Sequence, residues 1–331
     1  MGLRRRLTGL ATACAVLAIV QHAPTASAET VIKLGNVQPP AMIVQKGLQR
    51  FAELVAERTG GELKVEIFPA SQLGTEQEIL EGVQLGTIHM FEGSAGAAGR
   101  FLPALEAFAH PFLWRDLGHM LAVARGPIGQ ELSQRLIDAH GMRIIDMGWL
   151  FGQRHLTTAQ TPVETPEDME GLKIRVQPTT IYLEMIKAMG ANPTPIDWKE
   201  VYLSLQTGVV DGQENPIGVI YSAKLYEVQE YLMLTGHITQ NQVVIINEAF
   251  FQSLSPEHQQ VLQEAAIEAG DYQNALIEEG AAADLEKLKA ERMTVIEPDI
   301  EAFRAATADI YLQFEDQWGK GLFERMRDAG S

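Results

Sequence analysis

The chain has 331 residues, 46% of them hydrophobic, with 43 acidic against 26 basic side chains and a net charge of −17. So acidic a balance argues against a nucleic-acid binder and against a protein seated on anionic lipid. The length suggests two domains, each able to bury a core.

Arg4, Arg5 and Arg6 form a basic start, residues 7–20 are mostly apolar, and Ala26-Ser27-Ala28 is a small-residue cleavage site. Residues 1–28 therefore read as a signal peptide. The apolar run is too short and interrupted to span a membrane; an uncleaved anchor is the alternative. Loss of this segment removes three arginines and no acid, which takes the charge from −17 to −20. It also removes Cys14, the one cysteine, and with it disulfides, thiolate nucleophiles and cysteine-held metals. No cysteine follows the cleavage point to carry a lipid, so the mature chain is expected free in the periplasm.

From Glu29 the pattern alternates. Strands are expected at 31–35, 63–68 and 87–91, with helices at 41–59 and 75–85 between them, the signature of a parallel sheet with crossover helices. The glycine-rich stretch 92–99 reads as a loop. It lacks the ending of a phosphate-binding loop and the GxGxxG spacing, so it is expected to pass close to a ligand or to the other domain. Residues 117–139 read as mainly helical and 142–150 as a strand. The chain then crosses into a second domain at about Gly152. Strands at 172–176 and 209–210 enclose a helix at 180–189 and a second helix, opened by a capping box at Asp197-Trp198-Lys199-Glu200 and ending at Gly208. Extended segments at 232–238 and 242–247 bring the chain back near Gln240. Ser255-Pro256 opens a helix running to about Glu291, long enough to lie along both domains, and 300–326 is again helical. One domain then comprises 29–151 with 241–280, the other 152–240 with 281–331.

Ligands of open α/β sheets bind outside the carboxyl ends of the strands, where Arg175 and Asn215 fall. A guanidinium offers a carboxylate two parallel donors, so geometry joins charge in the recognition; an ion pair with Glu184 is the structural alternative. Arg154 follows the same logic at the preceding strand end, against a plain surface role. Asn215 can donate and accept at once, or can serve only its turn. Glu76, at a helix start, is placed either to accept sugar hydroxyls or simply to favour the helix dipole. Gln38, Ser94 and His237 are weaker candidates from strand-end loops. The histidines are scattered without an HExxH pair, no GxSxG elbow is present, and no spacing marks a paired general acid and base. No metal, cofactor or catalytic residue is expected.

The motifs then resemble a family. Gly171-Leu172-Lys173-Ile174-Arg175-Val176, Pro193-Thr194-Pro195, Glu200-Val201-Tyr202-Leu203-Ser204-Leu205-Gln206 and Val210-Asp211-Gly212-Gln213-Glu214-Asn215-Pro216 are similar to the substrate-binding proteins of TRAP transporters, the DctP type. Phe68-Pro69-Ala70-Ser71-Gln72-Leu73-Gly74 upstream, and Tyr226-Glu227-Val228-Gln229 and Thr235-Gly236-His237 downstream, extend the likeness over nearly the whole mature chain. The resemblance implies a two-domain α/β periplasmic binding protein fold, with a ligand cleft between the domains and one long helix spanning both. It implies that Arg175 clamps a ligand carboxylate, that Arg154 also contacts the ligand, and that Trp198 packs on it; a core position is the alternative for Trp198. It implies delivery to the small and large TRAP membrane subunits, driven by an ion gradient and not by ATP. A carboxylate ligand is expected, and a sugar acid such as a uronate or aldonate is favoured. A C4-dicarboxylate, sialic acid, an exported enzyme acting on an acidic sugar, and a binding module feeding a sensor are the alternatives. A monomer is expected.

Overall fold

The computed structural model describes residues 29–330; the signal-peptide reading and Cys14 lie outside the described residues. The first half follows the expected alternation: β1 (Thr30–Gly35), α1 (Ile43–Arg58), β2 (Leu63–Phe68), α2 (Glu76–Leu85) and β3 (Met90–Ser94). β1 pairs in parallel with both β2 and β3, which requires crossover connections of the kind α1 and α2 supply. α1 buries a single stripe of Val44, Leu48, Phe51, Leu54 and Val55. Thr75 and Glu78 form a capping box at the start of α2.

β3 begins three residues later than expected. The N–H groups of Thr87 and Ile88 both return to the Gly82 carbonyl and close α2, so they are spent before the ladder starts. The glycine-rich stretch is not a loop: Glu92, Gly93 and Ser94 end β3, and α3 (Ala95–Ala98) follows with Ser94 as its cap. Its glycines serve packing. A Cβ on Gly93 would lie 2.3 Å from the Phe91 ring, and one on Gly99 the same distance from the Glu106 side chain.

Residues 117–139 are mainly helical as expected, in two helices, α4 (Leu117–Ala124) and α5 (Pro127–His140). Pro127 has no N–H to continue a ladder but fits the first position of a new helix. β4 (Met142–Thr158) does not stop at 150; it runs 17 residues through several register shifts. Then come β5 (Lys173–Val176), α6 (Thr180–Ala188), the unforeseen β6 (Asn192–Pro195), α7 (Val201–Gln206), β7 (Gly212–Pro216) and α8 (Ile217–Ser222). Asp197 makes no side-chain cap; a 3-10 turn, Trp198–Glu200, precedes α7 instead. Val209 and Val210 are not a strand. Their N–H groups return to Ser204 and close α7, and the ladder forms over Gly212–Pro216, which places Asn215 inside a strand.

The two extended segments near Gln240 are one strand, β8 (Tyr231–Asn247). α9 (Glu248–Ser253) leads to α10 (Pro256–Ala290), 35 residues capped by Ser255 as expected and about 50 Å long at 1.5 Å per residue. A short β9 (Thr294–Ile296) and three separate helices, α11 (Ile300–Thr307), α12 (Glu315–Trp318) and α13 (Leu322–Arg327), complete the chain.

The sheet order is β2-β1-β3-β8-β4-β7-β5-β6, with β9 beside β8. The two 17-residue strands, β8 and β4, thus run antiparallel down the middle, with a parallel lobe on either side. α10 packs on α1 of one lobe and α8 of the other, and on β4 between them.

Candidate ligand-binding site

The carboxyl ends of β1, β3, β5 and β7 converge on a partly open cavity of about 50 Å³. Six of the eight residues singled out in the sequence line it: Gln38, Glu76, Ser94, Arg175, Trp198 and Asn215. Arg175 projects from the third position of β5 and is 2% exposed. Its Nε and Nη2 both donate to the Ile196 carbonyl, at 2.9 and 2.7 Å, so one edge of the guanidinium is fixed. Glu184, the alternative partner named for Arg175, instead binds Lys187. Burial lowers the Arg175 pKa to about 10, with Glu214 opposing and Arg154 adding; at neutral pH the group remains a cation. The Trp198 ring lies 5.9 Å from its Cζ, within cation–π range. Glu76 accepts the Ser94 N–H at 3.2 Å. Burial raises its pKa, against that hydrogen bond and the Arg175 charge.

Arg154 and His237 do not line the cavity. Arg154 is neither a surface residue nor an open strand-end arginine: it is fully buried. It donates through Nε and Nη2 to the Glu214 carboxylate, through Nη2 also to the Glu214 carbonyl, and through Nη1 to Gln240. His237 joins the same group, its Nε2 3.1 Å from Glu214 Oε2 and its Nδ1 2.7 Å from Thr235 Oγ1. Beside it His155 accepts the Gly236 N–H at 3.0 Å, and burial depresses its pKa to about 3. The network adjoins the cavity through Gln240, which also lines it, while Glu214 and Asn215, neighbours on β7, point to opposite faces.

Other groups at the site were not foreseen. Gln177, Thr179, Gln240 and Gln242 also line the cavity, and Oε1 of Gln38, Oε1 of Gln177, Oγ1 of Thr179 and both amide atoms of Gln242 are buried without a hydrogen-bond partner among the described residues. A signal existed for part of this: Gln240-Asn241-Gln242 is a polar run directly before the apolar residues 243–246. Arg100 reaches across the mouth, its Nη2 2.8 Å from the Pro178 carbonyl. Among the described residues no His, Cys, Asp and Glu group is arranged to hold a metal ion, and no helix is long and apolar enough to cross a membrane.

Glu92, on β3 behind the cavity, is fully buried with both carboxyl oxygens unpartnered. Burial first, and the nearby Glu76 second, hold its pKa well above the usual carboxylate range. The folded state therefore keeps a proton that the unfolded chain releases. Its contribution is fully present below the unfolded carboxyl pKa and is lost as pH rises through the folded one. Glu92→Gln should melt with the wild type near pH 4 and above it at pH 8, by roughly 2–4 °C for each kcal/mol relieved; a pH series of thermal melts checks this.

Residues 34–317 match the family described as bacterial extracellular solute-binding protein, family 7, DctP. The chain is 41% identical over 249 residues to the 2,3-diketo-L-gulonate-binding periplasmic protein YiaO of Escherichia coli strain K12, which covers 75% of each chain. It is 34% identical to a TRAP periplasmic solute-binding protein from Polaromonas sp. JS666 whose crystal structure holds D-erythronate; the TM-score is 0.86, over 92% of this chain and 100% of that one. A TRAP solute-binding protein from Actinobacillus succinogenes 130Z with bound L-galactonate gives 32% identity and a TM-score of 0.86, over 90% of this chain and 98% of that one.

Proposed function

The chain belongs to the DctP family of bacterial extracellular solute-binding proteins, with the two-domain periplasmic binding protein fold of TRAP solute-binding proteins, and on that premise we propose that it captures a sugar acid, an aldonate or uronate, in the periplasm and delivers it to TRAP membrane subunits. Its relatives are transport proteins and not enzymes. The observation that carries the ligand class is the composition of the cavity: one buried cation, Arg175, facing a wall of unpartnered amide and hydroxyl atoms. A cation suits one carboxylate. Groups that both donate and accept suit hydroxyls. D-erythronate, L-galactonate and 2,3-diketo-L-gulonate, the ligands of the relatives, share this chemistry.

In this reading Arg175 takes the carboxylate, Asn215, Glu76, Gln38 and Ser94 meet hydroxyls, and Trp198 covers the ligand. Closure occurs about the two long strands, between residues 29–151 with 241–280 and residues 152–240 with 281–331. The protein acts as a monomer.

Thermal shift of residues 29–331 against sugar acids, dicarboxylates, keto acids and sialic acid tests the reading. A ligand at 100 times its Kd adds about 2.7 kcal/mol to the native state, so a shift of several degrees is expected with aldonates or uronates. A shift with dicarboxylates alone, or none after the protein is unfolded, dialysed and refolded free of ligand, overturns it.

A further inference from the structure

Ser94 pairs with Gln242 of β8, and Glu92 pairs with Val244. Successive side chains alternate along a strand, so Glu92 and Ser94 share one face of β3 and Gln242 and Val244 share one face of β8. Glu92 and Gln242 are then diagonal neighbours, about 7–8 Å apart at Cα and within reach of each other's long side chains. Yet they are not bonded to each other. Both are fully buried, and all four of their polar atoms are without a partner among the described residues. Asn36 follows Gly35, which pairs with Phe91; it flanks the same spot, with Nδ2 also unpartnered. Gln242 also lines the cavity, with Glu92 and Asn36 behind it on the neighbouring strands.

Buried polar atoms are almost always paired, so a concentration of orphans on adjacent strands marks a place built for a guest. The donors and acceptors are mixed. The amide of Gln242 supplies both kinds, Asn36 Nδ2 supplies donors, and Glu92, whose burial keeps it in the acid form, supplies one O–H and an acceptor. A hydroxyl complements such a set because it also donates and accepts. A carboxylate only accepts, so it would leave the Gln242 carbonyl and the second Glu92 oxygen facing its own lone pairs.

We infer that Glu92 and Gln242 form a recessed subsite behind the carboxylate pocket that takes the hydroxyl-bearing end of the ligand remote from Arg175 and rejects a second carboxylate there. The inference rests on the sugar-acid reading. It makes the two residues determinants of chain length and of monoacid over diacid, neither of which Arg175 can sense.

Calorimetric titration of wild type, Glu92→Leu, Glu92→Gln and Gln242→Leu with L-galactonate, with the shorter D-erythronate and with galactarate, the diacid of galactonate's length, tests it. Wild type should bind galactarate about 100-fold more weakly than galactonate. Each leucine variant should lose roughly 5- to 100-fold on galactonate, the range for one buried hydrogen-bonding group left unmatched, and change little on erythronate. Glu92→Gln, which keeps shape and mixed donor–acceptor character, should stay within about threefold of wild type on galactonate. Equal losses on both acids by the leucine variants would mean a structural role, and galactarate binding as well as galactonate would remove the diacid filter; either overturns the inference. A liganded crystal structure with only ordered water in the recess, together with unchanged length discrimination, assigns the hydroxyls to solvent and overturns it too. A wild type that binds no sugar acid overturns the functional reading and this inference together; binding with unchanged discrimination overturns the inference alone.

Discussion

Arg154→Met is expected to cost the fold about 3–5 kcal/mol and to lower the melting temperature by roughly 10 °C. Arg154 and Glu214 are both fully buried and bonded directly to each other. Burial alone would raise the Glu214 carboxyl, but the Arg154 charge and the hydrogen bonds from His237 and Arg154 prevail and hold its pKa below the ordinary value. Burial likewise disfavours the Arg154 cation, and the Glu214 charge more than offsets it. Methionine keeps much of the volume and removes the directly bonded charge, which leaves an interior carboxylate with His237 bonded to it and the Arg175 charge farther off. The loss is therefore that of an uncompensated ion rather than the small net worth of a pair. The double variant Arg154→Met/Glu214→Met should recover much of it, since a buried ion pair can be replaced by apolar side chains at little net loss. Thermal unfolding of the three variants checks the cycle. A single variant that melts normally but no longer binds would place Arg154 on the ligand instead.

Arg175→Lys is expected to act in the opposite way: a loss of affinity of about 1.5–3 kcal/mol, ten- to more than a hundredfold, with a smaller change in melting temperature. One edge of the guanidinium, Nε and Nη2, is held by the Ile196 carbonyl, which aims the rest of the fork. A lysine ammonium carries the same charge as a single point. It cannot hold Ile196 and present a parallel pair of donors to a carboxylate at once. Calorimetry against whichever acid gives the largest thermal shift measures this, and wild-type affinity in the variant would take Arg175 out of the site.

Much of the fold was legible because its signals are local. The α1 stripe, the Thr75 capping box and the Ser255-Pro256 start of α10 are all short-range patterns. Errors fell where an N–H had two suitors. Thr87, Ile88, Val209 and Val210 have strand-like side chains, but their backbone groups close the preceding helices. The short strands β6 and β9, flanked by turns, carry too few residues for a period to show. For the site, the strand-end rule pointed to Arg175 and Asn215, both of which line the cavity. It could not tell Arg154 from them, because what separates the two arginines is a partner 60 residues away, Glu214. It missed Gln177 and Thr179 because their unpaired state exists only once the lobes are assembled.

The place of β8 in the sheet has a consequence for how the molecule is made. It lies between β3 and β4 although it is near the end of the strand sequence, at Tyr231–Asn247. A growing chain therefore displays β3 with an open edge until residue 231 arrives, and an open edge invites pairing with another chain. Neither half can mature by itself. Ordering waits on contacts between remote parts of the chain, the slow class of folding event, and an interrupted chain is left adhesive rather than half competent.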